Sequence, residues 1–278
     1  MNRREAIAGA LAMTAGAPTP PPKHIVSLNS CLDAMLVHLA DRKQIAALSH
    51  YAHEEHGSTV AAQAKTLPYT WESAEEVIDL TPDLVLASQH SALATRNALK
   101  RLHVPVQRFK VPKSVDESLG QVRKLAKLIG HADRGEALVA RIEAAIQASK
   151  PAPGARRLTA LIYQPNGFAA GPGTLVDEMM DHAGFDNVAR RYGLKSWGNV
   201  GLERLLADPP QVLLVGVSAP GARSWADRVM THPALKAVSG RMRQAQLPEK
   251  LLYCGGPVLI ETAAAMARAR AQALKEGA

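Results

Sequence analysis

ESAEEVIDLTPDLVLAS (residues 72–88) is echoed in the other half of the chain by GLERLLADPPQVLLVGV (residues 201–217). Each stretch sets a Glu seven residues ahead of a Pro, Glu75 with Pro82 and Glu203 with Pro210, and follows the Pro with a Leu/Val-rich run. A short amphipathic helix stopped by a residue that lacks an N–H, then a buried parallel strand, is the local structure this pattern encodes. Its appearance once in each half predicts two similar α/β lobes. A cleft between two such lobes is the natural place for a ligand.

The surrounding pattern extends that reading. HIVSLN (residues 24–29) reads as a strand, 32–40 as a helix, 45–48 as a second strand and SHYAHEEHGST (49–59) as a polar loop. The first Glu–Pro unit then gives a strand at 84–87, a helix over about 91–102 and a further strand from Val104. Residues 114–149 hold no Pro and carry apolar side chains at three- and four-residue steps, so they predict one long helix or two nearly continuous ones, with Gly130 as a break. Strands at 158–163, 212–217 and 251–253, with helices at 175–183 and 259–275, complete the chain. GFAAGPG (167–173) lacks the spacing of a dinucleotide fingerprint and reads as a loop. The fold class is α/β: two Rossmann-like lobes with parallel sheets (24–112 and 151–278), joined by a linking helix over 113–150.

Composition fits this plan. The chain has 278 residues, 47% hydrophobic and only 4% aromatic, which makes the position of each aromatic informative. A net charge of +8 comes from dispersed Lys and Arg with no nucleic-acid motif, so a solvated basic surface is expected. MNRREAIAGALAMTAGA (1–17) has a basic start, a short apolar stretch and an A-x-A site, the features of an export signal, of twin-arginine or general type. A proline-rich tether follows at 18–23, with no Cys near the site for a lipid anchor. The expected compartment is the periplasm.

Parallel sheets hold ligands beyond the carboxyl ends of their strands. That rule selects residues 29–31, 49–53, 88–90, 164–168, Trp197, 218–220 and 254–257, among them Cys31, Tyr51, His53, Phe168 and Cys254; Tyr163 lies beside them, and Trp71 and Trp225 are further candidates. Flat rings suit a broad, partly apolar ligand. His50, His53 and His56 form an H-x-x-H-x-x-H run, within which His53 is the metal-ligand candidate. The two cysteines belong to opposite lobes and are expected as free thiols.

The order of HIVSLNSCLDAML (24–36), the two Glu–Pro units, LAKLIG (125–130) and HPALKAV (232–238) resembles the periplasmic substrate-binding proteins whose lobes are joined by a backbone helix. These serve ABC importers of vitamin B12, iron–siderophores and haem. The resemblance covers residues 24–278 and implies a non-enzymatic receptor, with no resident cofactor, that delivers a metal chelate to an inner-membrane ABC permease as a monomer. It implies that Glu75 and Glu203 dock onto permease arginines. Tyr51 and Trp197, six residues before Glu203, resemble positions of the family's vitamin B12 receptors, which implies a corrinoid. The absence of a Tyr–Pro pair in the following loop, and Val258 in place of an Arg, depart from that pattern. A haem or ferric-siderophore receptor is the alternative, and an enzyme on the same lobes the remote one.

Overall fold

The computed structural model describes residues 20–164, 167–217 and 240–277. The export signal, the start of the tether, the 218–220 loop, Trp225 and HPALKAV lie outside the described residues.

In the first lobe, β1 (Ile25–Ser27), β2 (Ile45–Ser49), β3 (Tyr69–Thr70), β4 (Leu84–Ser88) and β5 (Val106–Phe109) form one parallel sheet in the order β3-β2-β1-β4-β5. β1 and β4 are buried along their whole length, as their unbroken apolar runs require. Helices α1 (Ser30–Leu39), α2 (Ala61–Ala64), α3 (Ala74–Asp79) and α4 (Leu93–Arg101) connect them. The strand order reverses at β1, which is flanked by β2 and β4, so the carboxyl ends of β1 and β4 frame the crevice.

The predicted linker at 113–150 resolves into two helices, α5 (Val115–Leu128) and α6 (Ala132–Ser149). Gly130, at φ +86°, turns the chain back on itself, and Arg123 pairs with Glu136 at 2.9 Å across the turn. A Cβ on Gly135 would lie 2.5 Å from the Ala126 Cβ, so only glycine lets the pair close this tightly. α6 is the element that spans the lobes. Its start is tied to the first lobe by Arg134, which donates to the Leu39 carbonyl at 3.0 Å and to Asp41 at 2.7 Å. Pro151, just past its end, packs at Gly184 of the second lobe.

The second lobe is a mixed sheet: β6 (Leu158–Tyr163), β7 (Phe168–Ala169), β8 (Phe185–Asn187), β9 (Gly198–Asn199), β10 (Val212–Val217) and β11 (Arg243–Pro248), ordered β11-β10-β6-β7-β9 with β8 also on β6. β7 runs antiparallel to both neighbours, whereas the other pairings are parallel. Helices α7 (Leu175–His182), α8 (Leu202–Ala207) and α9 (Val258–Lys275) complete it. The strand expected at 251–253 is instead the polar RQAQLP run, β11, paired with β10 along its full length. The repeated unit is real in three dimensions: α3 leads through Pro82 into β4, and α8 through Pro210 into β10.

Candidate functional site

Between the lobes lies a cavity of about 840 Å³. Its first-lobe side comes from the ends of β1, β4 and β5, and its second-lobe side from the loops around Phe168, Thr174, Trp197 and Tyr253.

The second-lobe wall is aromatic. Phe168 and Trp197 stack with ring centres 5.1 Å apart and planes 11° from parallel, and Tyr253 approaches Trp197 at 5.9 Å. The glycines of GFAAGPG build this wall. A Cβ on Gly167 (φ +73°) would fall 2.3 Å from the Val200 carbonyl oxygen, and one on Gly171 would fall 2.2 Å from that of Ser196. Within the stretch read as a loop, Phe168–Ala169 form the short strand β7 laid against β9, and that close approach puts Phe168 beside Trp197. Tyr253 was not among the sequence candidates, because its segment read as a strand.

Cys31 and Cys254 are disulfide-bonded, with Cα atoms 5.1 Å apart, which corrects the expectation of free thiols. That expectation held the lobes apart at the base of the cleft. In the fold, the turn before α9 is pressed onto the first lobe and α5. Gly256 donates its N–H to the Ser118 hydroxyl at 2.7 Å, and a Cβ on Gly255 would come 2.4 Å from that same oxygen. Two consecutive glycines thus bring Cys254 to the N-terminal turn of α1. With both sulfurs bonded to each other, neither is a soft metal ligand. Lys250 adds a second tie, donating to the Glu55 carbonyl at 3.3 Å.

Two further aromatic candidates, Tyr51 and Trp71, form a separate platform on the first lobe together with Tyr69, which the sequence did not single out. Tyr51, Tyr69 and Trp71 are 45%, 49% and 65% exposed. The His50 ring lies between Tyr51 at 3.8 Å and Trp71 at 4.5 Å, while His53 sits 4.8 Å from Tyr69 with its Nε2 buried and unpartnered. The Glu76 carboxylate fixes the Trp71 turn by accepting from the Thr70 hydroxyl (2.6 Å) and the Trp71 N–H (2.7 Å). Glu72, at φ +69°, lies 3.9 Å from His50 Nδ1, and burial pushes its carboxyl up to about 7. The histidine run does not assemble a metal centre: His56 is exposed, and among the described residues no three His, Cys, Asp or Glu side chains converge.

Beneath the platform, Asp33 is wholly buried in the first turn of α1 and accepts from the Ser49 N–H and hydroxyl. Burial outweighs those bonds and raises its carboxyl to about 7. The native protein therefore holds a proton that the unfolded chain releases near pH 4, so this carboxyl's contribution to stability is full below about pH 4 and is lost as pH rises to 7. Asp33→Asn should remove that loss, worth on the order of 3 kcal/mol. Urea unfolding at pH 4.5 and pH 8 checks this: the wild type should lose more stability between the two than the variant, and equal losses would place the Asp33 proton elsewhere.

Tyr163 does not reach the cavity surface. It is 4% exposed within the second-lobe core, and its hydroxyl donates to the Val200 carbonyl at 3.3 Å. Glu75 and Glu203 are both exposed, in the first turns of α3 and α8, outside the cavity lining.

The structure resembles the periplasmic haem-binding protein of Roseiflexus sp. RS-1 at TM-score 0.73, with 26% identity over 89% of this chain and 98% of that one. It also resembles the periplasmic vitamin B12-binding protein of Vibrio cholerae at TM-score 0.66, with 15% identity over 92% of this chain and 100% of that one. A cobalamin-binding protein of Halobacterium salinarum is 24% identical over 202 residues, covering 71% of this chain and 55% of its own length, so the chain spans about half the length of that curated relative. Residues 25–240 match the family described as periplasmic binding protein, and the chain belongs to that family.

Proposed function

We propose that the protein is the periplasmic receptor of an ABC importer for a planar metal chelate, a corrinoid, captured between the lobes. The observation that carries this is the second-lobe wall, where Phe168, Trp197 and Tyr253 present a ring surface to an interlobe cavity. Stacked and tilted aromatics match the face of a macrocycle, and a concave interlobe site removes most of such a ligand from water. The exposed Tyr51–Trp71 platform adds a second ring surface on the first lobe. The interlobe disulfide fits the oxidising compartment that an N-terminal export signal would reach. The cobalamin-binding relative supports the corrinoid, and the haem-binding structural relative makes haem the second reading.

Isothermal titration with cyanocobalamin, haem and a ferric siderophore tests the assignment. Saturable binding of cyanocobalamin is the expected result, and binding of haem alone would establish the second reading. Trp197→Ala should weaken the bound macrocycle by about 1–3 kcal/mol, because the indole is half shielded between Phe168 and Tyr253 and supplies stacking area. An unchanged dissociation constant would remove Trp197 from the site.

A further inference from the structure

The two walls of the cavity differ in kind. Against the aromatic second-lobe wall, the first lobe sets Asn29, Gln89, His90, Lys110 and Lys113, and none of the described lining residues is Asp or Glu. Lys110 and Lys113 sit on the short connection between β5 and α5, and that connection is fixed at both ends. Gln121 donates to the Lys110 carbonyl at 2.9 Å, and the Lys113 N–H donates to Glu117 at 2.8 Å. Neither side-chain ammonium pairs with a carboxylate among the described residues. The neighbouring Lys124 is engaged elsewhere, 5.3 Å from the centre of the Phe109 ring.

Two cations outside any salt bridge are simply solvated on a convex surface. Within a concave space with an apolar opposite wall, their fields add and attract a counter-ion. We infer that the ligand carries an anionic group, a phosphodiester or a carboxylate, which Lys110 and Lys113 hold while the macrocycle lies on Phe168 and Trp197. The inference rests on the receptor reading above and narrows it to chelates with one apolar face and one acidic edge. The lysines act as the specificity determinant: they distinguish a macrocycle with its acid group from the same macrocycle without it.

Matched ligand pairs test this on the full-length protein. Dicyanocobinamide is the corrin without its nucleotide loop and phosphodiester, and haem dimethyl ester is haem with both carboxylates blocked. The wild type should bind cyanocobalamin over dicyanocobinamide, or haem over its dimethyl ester, by roughly tenfold, and added salt should shrink the ratio. Lys110→Gln combined with Lys113→Gln should bring that ratio near one by weakening the member that carries the acid group. An unfolding midpoint matching the wild type shows that the double variant is folded. Equal affinity of the wild type for both members of a pair, or a ratio that survives in the double variant, overturns the inference alone. Binding of none of the four ligands overturns the receptor reading and this inference with it.

Discussion

Removing the Cys31–Cys254 bond should lower the unfolding midpoint by roughly 10 °C. The bond joins residues 223 apart in sequence. Closing a loop of that length withdraws chain entropy from the unfolded state worth about 5 kcal/mol. Native geometry adds no opposing demand, because Gly255 and Gly256 already hold the turn against Ser118 and Met35. Without the bond, the lobes remain joined by α6 and by Lys250, so Cys31→Ala with Cys254→Ala should still fold. Calorimetry of that variant, and of the wild type with and without reductant, gives three scans. The reduced wild type should melt with the variant. A reduced wild type that melts within about 2 °C of the oxidised one would show that the crosslink adds nothing beyond the folded contacts. Cys31 also lines the cavity beside Tyr253, so the variant should bind ligand more weakly as the base of the cleft loosens.

The cysteines show where sequence reading stops. The Glu–Pro units are local: a Pro ends a helix and an apolar run enters a sheet wherever they occur, so both units, and with them the two-lobe plan, were legible. The disulfide depends on a turn of one lobe meeting a helix of the other, which no spacing encodes. β7 and β9 have two residues each, too few for any periodicity, so Gly167 and Gly171 read as loop markers although they serve as close-approach points. Tyr163 was misplaced for a different reason. LTALIY is apolar on both faces of β6, and burial on both sides hides which residues meet the cleft. Asp33 gave no signal because a lone acid in a helical first turn ordinarily reads as a solvated favourable charge. Trp197 and Phe168, which line the cavity, stood out because aromatics are few and both lie near strand ends. Lys110 and Lys113 gave no signal, since dispersed lysines look like solvated surface until a cavity gathers them.

The glutamate pair should separate capture from delivery. Among the acids of the first Glu–Pro unit, Glu72 is drawn inward beside His50 and Glu76 is committed to Thr70 and Trp71. Glu75 is left exposed, and no carboxylate–cation pair engages it or Glu203 among the described residues. β3 and β9 both end at the carboxyl edge of their sheets, and α3 and α8 start from there. The two glutamates therefore stand on the edge where the cavity opens, one on each lobe, without lining it. A two-fold symmetric permease can receive one carboxylate on each subunit. Exposed pairs of this kind are worth about 0.2–1 kcal/mol, but cutting one partner of a desolvated interface pair costs about 2–5 kcal/mol. Glu75→Ala with Glu203→Ala should accordingly bind ligand within about twofold of the wild type and support no uptake, with each single variant in between. Titration of the purified protein and ligand accumulation by cells carrying only the variant measure the two halves. Uptake at the wild-type rate by the double variant would break the proposed link between these carboxylates and a permease. Loss of ligand affinity instead would move both glutamates from the docking face into the cleft.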